Sequence, residues 1–541
     1  VKLTGNAAAT LGTQKIEGAV SGKTITFAYK GLNYATAYTF TLAAGSVADL
    51  TDNATDQAIV LNFTTKTKPA VTKALYDFIV PTDGDFKAAL AAAAKRTDTS
   101  KRFRIFIKQG DYKIPADEKS KVTGSDGKSY ANPTTYMNTP NVSIIGEGMD
   151  NTSLTNTVPN SGQSANVLEG IGKGDVLCLQ KGATNTYFQD LKMYSSMGDA
   201  KGRDIVLNDQ SNKTICKNVN LWAYQDTYVS NNQNGKFYFE DGILRGRTDY
   251  LCGKGDVYYN NVELWICEKG GYLAVPSQPK KYGYIFKDCT IKDATAAKDL
   301  NGNYTLGRPW GKGTPIALYI DTKMEAIPSA AGWNEMSGGY PKRFAEYNSY
   351  TSTGSVVDLK DRKKVYDAYD SKDGDNYVNR RNETAGDPIL AAEEAAFYTV
   401  ENIMGQDDDW DPTAATEQAS APTNVKLNGT TLAWDNNDYA LLWAVCKNGK
   451  VVDFTVEPTY NVDDASATWS VRAANEMGGL GEATEATTST GIENITTSAD
   501  VLSTKIYSAD GVQVSKLQRG INIVVKTMTD GSKKTNKVVL K

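Results

Sequence analysis

The sequence contains no histidine in 541 residues. That absence removes every serine–histidine or cysteine–histidine nucleophile and every metal site built on imidazole. Proton transfer near neutral pH then falls to carboxyl groups whose surroundings move their pKa values. Cysteine is scarce: Cys178, Cys216, Cys252, Cys267, Cys289 and Cys446 include no CxxC pair, so a zinc cluster is not expected. Most sit in apolar, strand-like contexts such as DVLCLQ and LWICEK and read as buried small hydrophobes. No apolar run approaches the roughly 20 residues that cross a bilayer, so no membrane span is expected. The net charge of -4 lacks the basic excess of a nucleic-acid binder and gives no overall attraction to a polyanion. An acidic ligand would have to be held by local basic groups. No secretory signal is visible, although the chain begins inside what reads as a domain.

The length implies three or four domains. Residues 1–68 alternate apolar and polar positions, as in KTITFAYKG, YTFTLAAGS and IVLNFTTKT, which predicts a small β-sandwich. It resembles bacterial Ig-like domains that end in an FTT strand, with the first strand missing, and KTKPAVTK reads as the linker after it. Residues 72–415 behave differently. DFKAALAAAAKR predicts one helix with Asp85 near its start. Short strands follow with an internal echo: FQDLKM (188–193), CKNVNL (216–221), FEDGIL (239–244), YNNVEL (259–264) and FKDCTI (286–291). Each has Asp or Asn third and an aliphatic residue or Met last, and the starts lie 28, 23, 20 and 27 residues apart. Self-similarity of this size predicts a solenoid, and with strand-only rungs a parallel β-helix; unrelated sandwich strands are the bland alternative. Residues 421–487 read as a second sandwich resembling a fibronectin type III module. Residues 490–541 form a third small β unit, which resembles the C-terminal modules of secreted Bacteroidetes proteins that serve in sorting or surface anchoring.

The stretch WAYQDTYVS (222–230) sets Gln225 and Asp226 inside an otherwise apolar, aromatic strand. A carboxylate buried there costs several kcal/mol unless it is paired, hydrogen-bonded or protonated. Asp249 lies in a similar setting in GRTDYLCG (246–253), and YTLGRPWGKG (304–313) supplies Arg308 and Trp310. Taken singly, each has an ordinary structural explanation: an aspartate capping a turn, an arginine in an ion pair, a tryptophan packed at a rim. In this order, however, QDT, then an Asp in an apolar strand, then LGRPW, residues 72–413 resemble the pectin methylesterases. YDFIVPTDGDFKAAL, RIFIKQGDY, LAAEEAAFYTVENIM and the DDDWDP end extend the resemblance.

The resemblance implies an all-β protein whose catalytic domain is a right-handed parallel β-helix, flanked by small sandwich modules. It implies hydrolysis of galacturonate methyl esters in homogalacturonan, without cofactor or metal. Asp249 would be the nucleophile, kept ionised and oriented by Arg308. Asp226 would be the general acid and later the base, raised in pKa by burial and by its neighbouring carboxylate. Gln225 would donate to the oxyanion, and Trp310, Tyr228 and Tyr250 would contact sugar. The sequence departs from the family pattern at several points. Arg203 in GRDIVL stands where the family's QAVAL places a Gln, and a guanidinium there can still donate to an oxyanion. Ile114 replaces the Glu of GxYxE, Cys252 replaces an aromatic three residues past the nucleophile, and QDTLY reads QDTYV. Arg245 and Arg247 beside the nucleophile, and the basic KRTDTSKRFR, offer local attraction for de-esterified pectin or simply a solvated face. The chain is expected to act as a monomer outside the cell, at its surface or in the periplasm. A pectin-binding protein on an esterase scaffold and a pectate lyase are the competing functions. LGRPW is not a lyase feature.

Overall fold

The protein was analysed as a computed structural model that describes all residues except 5–7, 22–23, 30–31, 50, 68–74, 160–165, 296–298, 437–439, 489–500, 529–532 and 541. The predicted linker and the junctions expected at 68–72 and near 490 fall largely on those excepted residues.

From Phe78 to Thr351 the chain winds as a parallel β-helix. Seventeen strands pair in one continuous sheet that bends sharply within each coil, giving a first and a second face. Seven more strands, from Thr135–Met137 to Tyr304–Gly307, form the third. The echoed hexamers make the bend. Their first residues stack inward coil upon coil: Phe188, Cys216, Phe239, Tyr259, Phe286, then Tyr319. Ring centroids in the last three steps lie 5.2, 4.6 and 4.2 Å apart. Their last residues, Met193, Leu221, Leu244, Leu264 and Ile291, stack in the same register on the second face.

The third residue of every echo turns the corner. Asp190, Asn218, Asp241, Asn261 and Asp288 all have φ between 50° and 56°, as do Asp321 and Asn348 in the next coils. Asn and Asp tolerate this left-handed region better than other residues with a Cβ. Neighbouring corners also bond to one another: Asn218 Nδ2 donates to Asp190 Oδ1 at 2.6 Å, and Asn261 Nδ2 to Asp241 Oδ1 at 2.7 Å. The repeat read in the sequence is therefore a corner repeat with apolar flanks.

The predicted helix, Phe86–Lys95, caps one end of the solenoid, with Asp85 accepting from the Ala88 amide at 2.8 Å. Its Phe86, Ala89, Leu90 and Ala93 enter the main core, as does Ile114. The outward side of the first face is apolar as well, with Phe106, Ile145, Tyr187, Ile215, Tyr238 and Tyr258 all buried. Residues 390–404 and 421–488 cover it: a helical segment places Leu390, Ala395, Ile403 and Met404, and two four-stranded sheets place Leu441, Leu442, Val451 and Phe454, into one cluster with it. Arg104 donates to the Glu476 carbonyl at 2.9 and 2.7 Å, and Tyr76 to the Gly478 carbonyl at 2.6 Å. A five-stranded antiparallel sheet spans the N-terminal region from Ala8 to Thr64, and its neighbour Tyr34 donates to Glu476 at 3.1 Å. A four-stranded antiparallel sheet lies between Val501 and Leu540.

Candidate active site

The third sheet carries the polar residues that the sequence singled out. Arg203, Gln225 and Thr248 occupy successive coils and form parallel bridges, the first two a few residues before the strands Leu207–Asp209 and Tyr228–Ser230 and the third at the start of Thr248–Gly253. Asp226 and Asp249 follow at the next position, each with positive φ (56° and 51°). Aspartate tolerates this left-handed backbone, which aims both carboxyls away from the regular alternation of the strand. The Asp226 amide donates to the Thr248 carbonyl at 3.2 Å, locking the two corners together.

The two carboxyls have different environments. Asp249 faces Arg308 in a bidentate pair, Nε to Oδ1 at 2.8 Å and Nη2 to Oδ2 at 2.5 Å. Arg308 leaves the strand Tyr304–Gly307, two coils on from Asp249, and its guanidinium lies 4.0 Å from the centre of the Tyr272 ring. Asp226 is pushed up to about 7, first by burial, against the Arg203 cation and with the Asp249 charge adding to the rise. Arg203 Nε approaches Asp226 Oδ2 to 2.5 Å, an ion-pair contact without hydrogen-bond geometry. The Cys252 thiol also lies beside Asp226. Ile205, Val229, Cys252 and Val275 form a separate apolar cluster outside the sheet, with Ile171 and Met336 packed on it. Cys252, a member of that cluster, thus ties the dry patch to Asp226. Here is one carboxylate clamped by a guanidinium beside a second carboxyl that holds its proton to neutral pH. Such a pair can supply a nucleophile and an acid.

Trp310 stands at the rim with 39% of its surface exposed. Gln225 is half-buried. Tyr228 and Tyr250, expected to contact sugar, do not reach the surface. Both are 0% exposed within the main core, where Tyr228 packs edge-on against Phe239 at 4.7 Å. Arg245 and Arg247 have their charges engaged. Arg245 pairs with Asp199 and lies over Trp222 at 4.4 Å, while Arg247 binds the Lys269 carbonyl at 3.1 and 3.0 Å. From the basic segment, Arg96 donates to the Pro140 carbonyl and Arg102 to the Asn185 carbonyl, so both serve the backbone.

Tyr272, Ile171, Met336 and Asp204 escaped the sequence reading. Asp204 adjoins Arg203 in the chain, and the unusual RD in GRDIVL was its only signal. Tyr272 occupies the register position between Thr248 and Thr305, which the sequence does not mark.

A family model described as Pectinesterase matches residues 77–382, and one described as Bacterial Ig-like domain matches residues 2–65. Among curated proteins, a pectinesterase/pectinesterase inhibitor (U1) of Solanum lycopersicum is 24% identical over 301 residues, 53% of this chain and 47% of that protein. A probable pectinesterase A of Aspergillus oryzae is 29% identical over 165 residues, covering 29% of this chain and 48% of its own. The chain thus spans about half the length of these relatives. The solved pectin methylesterase PemA from Erwinia chrysanthemi is 20% identical with a TM-score of 0.45, over 63% of this chain and 99% of that one.

Proposed function

Since this chain belongs to the pectinesterase family, matched over more than half its length, we propose that its third-sheet site hydrolyses methyl esters of galacturonate in pectin. One observation carries the reading: two aspartates at successive corners, one paired bidentately with Arg308 and the other buried and raised to about 7. Asp249 attacks the ester carbonyl carbon. The electron pair of the carbonyl moves onto its oxygen, where the Gln225 amide and the Arg203 guanidinium donate to it. One such donor typically contributes about 3–4 kcal/mol to a transition state.

Collapse of the tetrahedral adduct breaks the bond to the methoxy oxygen, which takes the Asp226 proton and leaves as methanol. Asp249 is then joined to the galacturonoyl carbon as an anhydride. Asp226, now ionised, removes a proton from water as that water attacks the same carbon. Galacturonate departs, Asp249 is regenerated and Asp226 has its proton back. Arg308 balances the nucleophile's charge, Tyr272 braces Arg308 from below, and Trp310 offers a flat apolar face to a neighbouring sugar. A polysaccharide substrate suits an enzyme that acts outside the cell, at its surface or in the periplasm.

The test is incubation with highly methylated pectin. Methanol should appear in step with new carboxylates, without the unsaturated, ultraviolet-absorbing ends that a lyase leaves. Unsaturated ends without methanol would replace the proposal with a lyase, and neither product would leave a binding protein.

A further inference from the structure

The dipeptide Arg203–Asp204 grips the Gln225–Asp226 corner on two sides. Arg203 reaches the Asp226 carboxyl. Asp204, 1% exposed, turns inward, and its Oδ1 accepts from the backbone amides of Tyr224 at 3.3 Å and Gln225 at 3.5 Å. The grip is reciprocal, because the Asp204 amide donates to the Gln225 carbonyl at 3.3 Å. Its Oδ2 is buried and has no partner in hydrogen-bond geometry. Burial pushes Asp204 up to about 8, with hydrogen bonds working against the rise. It is then an uncharged acceptor at neutral pH. The corner it holds is the one where Asp226 adopts positive φ. The two amides that Asp204 receives are those just before that corner, so its side chain fixes the direction in which the chain enters it.

We propose that Asp204 is a positioning residue that fixes the Tyr224–Asp226 backbone and so aims Gln225 and Asp226 at the ester. The inference rests on the proposed esterase reading for its kinetic consequence, though not for its structural one. It assigns a role to a side chain that never touches substrate.

Two variants test it. Asp204→Asn keeps a neutral side chain with an acceptor oxygen at Oδ1, whereas Asp204→Ala removes the acceptor. Peptide-level hydrogen exchange of the 222–227 segment should speed up about tenfold or more in Asp204→Ala and stay at the wild-type rate in Asp204→Asn. On methylated pectin, Asp204→Ala should lower kcat roughly ten- to a hundredfold with KM within about threefold, and Asp204→Asn should restore kcat to within about threefold. Wild-type exchange and kcat in a folded Asp204→Ala protein would overturn the proposal, as would equal impairment of both variants. If Asp204→Ala fails to fold, Asp204→Asn alone decides: near-wild-type exchange and kcat support the role, and impairment refutes it. Should the wild-type protein release no methanol, the esterase reading falls, while the exchange measurement still judges Asp204.

Discussion

The outward sides of the first and third sheets come from the same coils, yet they use burial for opposite ends. On the first sheet, Phe106, Ile145, Tyr187 and Tyr238 present apolar surface that residues 390–404 and 421–488 cover, and the ring of Phe454 sits 4.7 Å from Tyr76 and, edge-on, 5.1 Å from Phe106. Burial there is plain hydrophobic stabilisation, about 25 cal/mol for each Å² removed from water. On the third sheet, a small apolar cluster at Cys252 adjoins Asp226 and keeps water from it. Burial there raises a pKa and sacrifices stability for chemistry, the usual bargain at a functional site. One face holds the molecule together, and the other prepares a reaction.

Substitution on each face should separate the two roles. The largest effect is expected from Asp249→Ala, which should lower methanol release roughly ten-thousandfold or more. Circular dichroism of the variant should remain that of the wild-type fold. Residual turnover near the wild-type rate would move the chemistry away from this sheet. Phe454→Ala on the opposite face should cost about 3–5 kcal/mol of stability in a denaturant titration. Its kcat should stay unchanged at temperatures where it is folded; a matched loss of kcat would mean that the cover and the site are coupled.

The pH dependence of unfolding sharpens the contrast further. Asp175, Asp204, Asp209 and Asp226 all lie on or beside third-sheet strands and are pushed up by burial to about 7, 8, 6 and 7. Between pH 4 and 8 the folded state keeps protons there that the unfolded state has already lost. The unfolded state therefore binds fewer protons, and stability falls as pH rises through that window. A melting temperature that climbs from pH 5 to pH 8 would contradict the protonated burial of these groups. The smallest effect belongs to the rim. Trp310→Ala should raise KM severalfold through the lost stacking face and shift stability by no more than about 0.5 kcal/mol, as exposed positions do.

Much of this arrangement was legible in the sequence where a residue type answers a backbone demand. The third position of each echo had to be Asp or Asn because the corner is left-handed. The order QDT, Asp and LGRPW pointed to carboxyls that the fold brings to neighbouring coils. Tyr228 and Tyr250 were misplaced for a related reason. The left-handed residues Asp226 and Asp249 interrupt the two-residue alternation, so the inward or outward direction of the next side chains cannot be counted across them. The docked cover at 390–404 and 421–488 did leave a trace. KFYFE, DVYYN and YIFK are apolar on both faces, which implies a sheet covered on both sides. The origin of that cover could not be read, because its residues lie far beyond those strands in the chain. Tyr272 was invisible because its role comes from register, and Asp204 left only the RD of GRDIVL because its role lies in bonds to the next coil's backbone.

The division of labour between the two aspartates is tested most directly by the pH profile of methanol release from methylated pectin, with wild-type protein and Asp226→Asn side by side. Asp226 has to carry its proton when methanol leaves, so wild-type kcat/KM should fall about tenfold per unit as pH rises above about 7. The residual activity of Asp226→Asn should lose that limb. An unchanged limb in the variant, or a wild-type rate that keeps rising through pH 9, would show that Asp226 is not the acid.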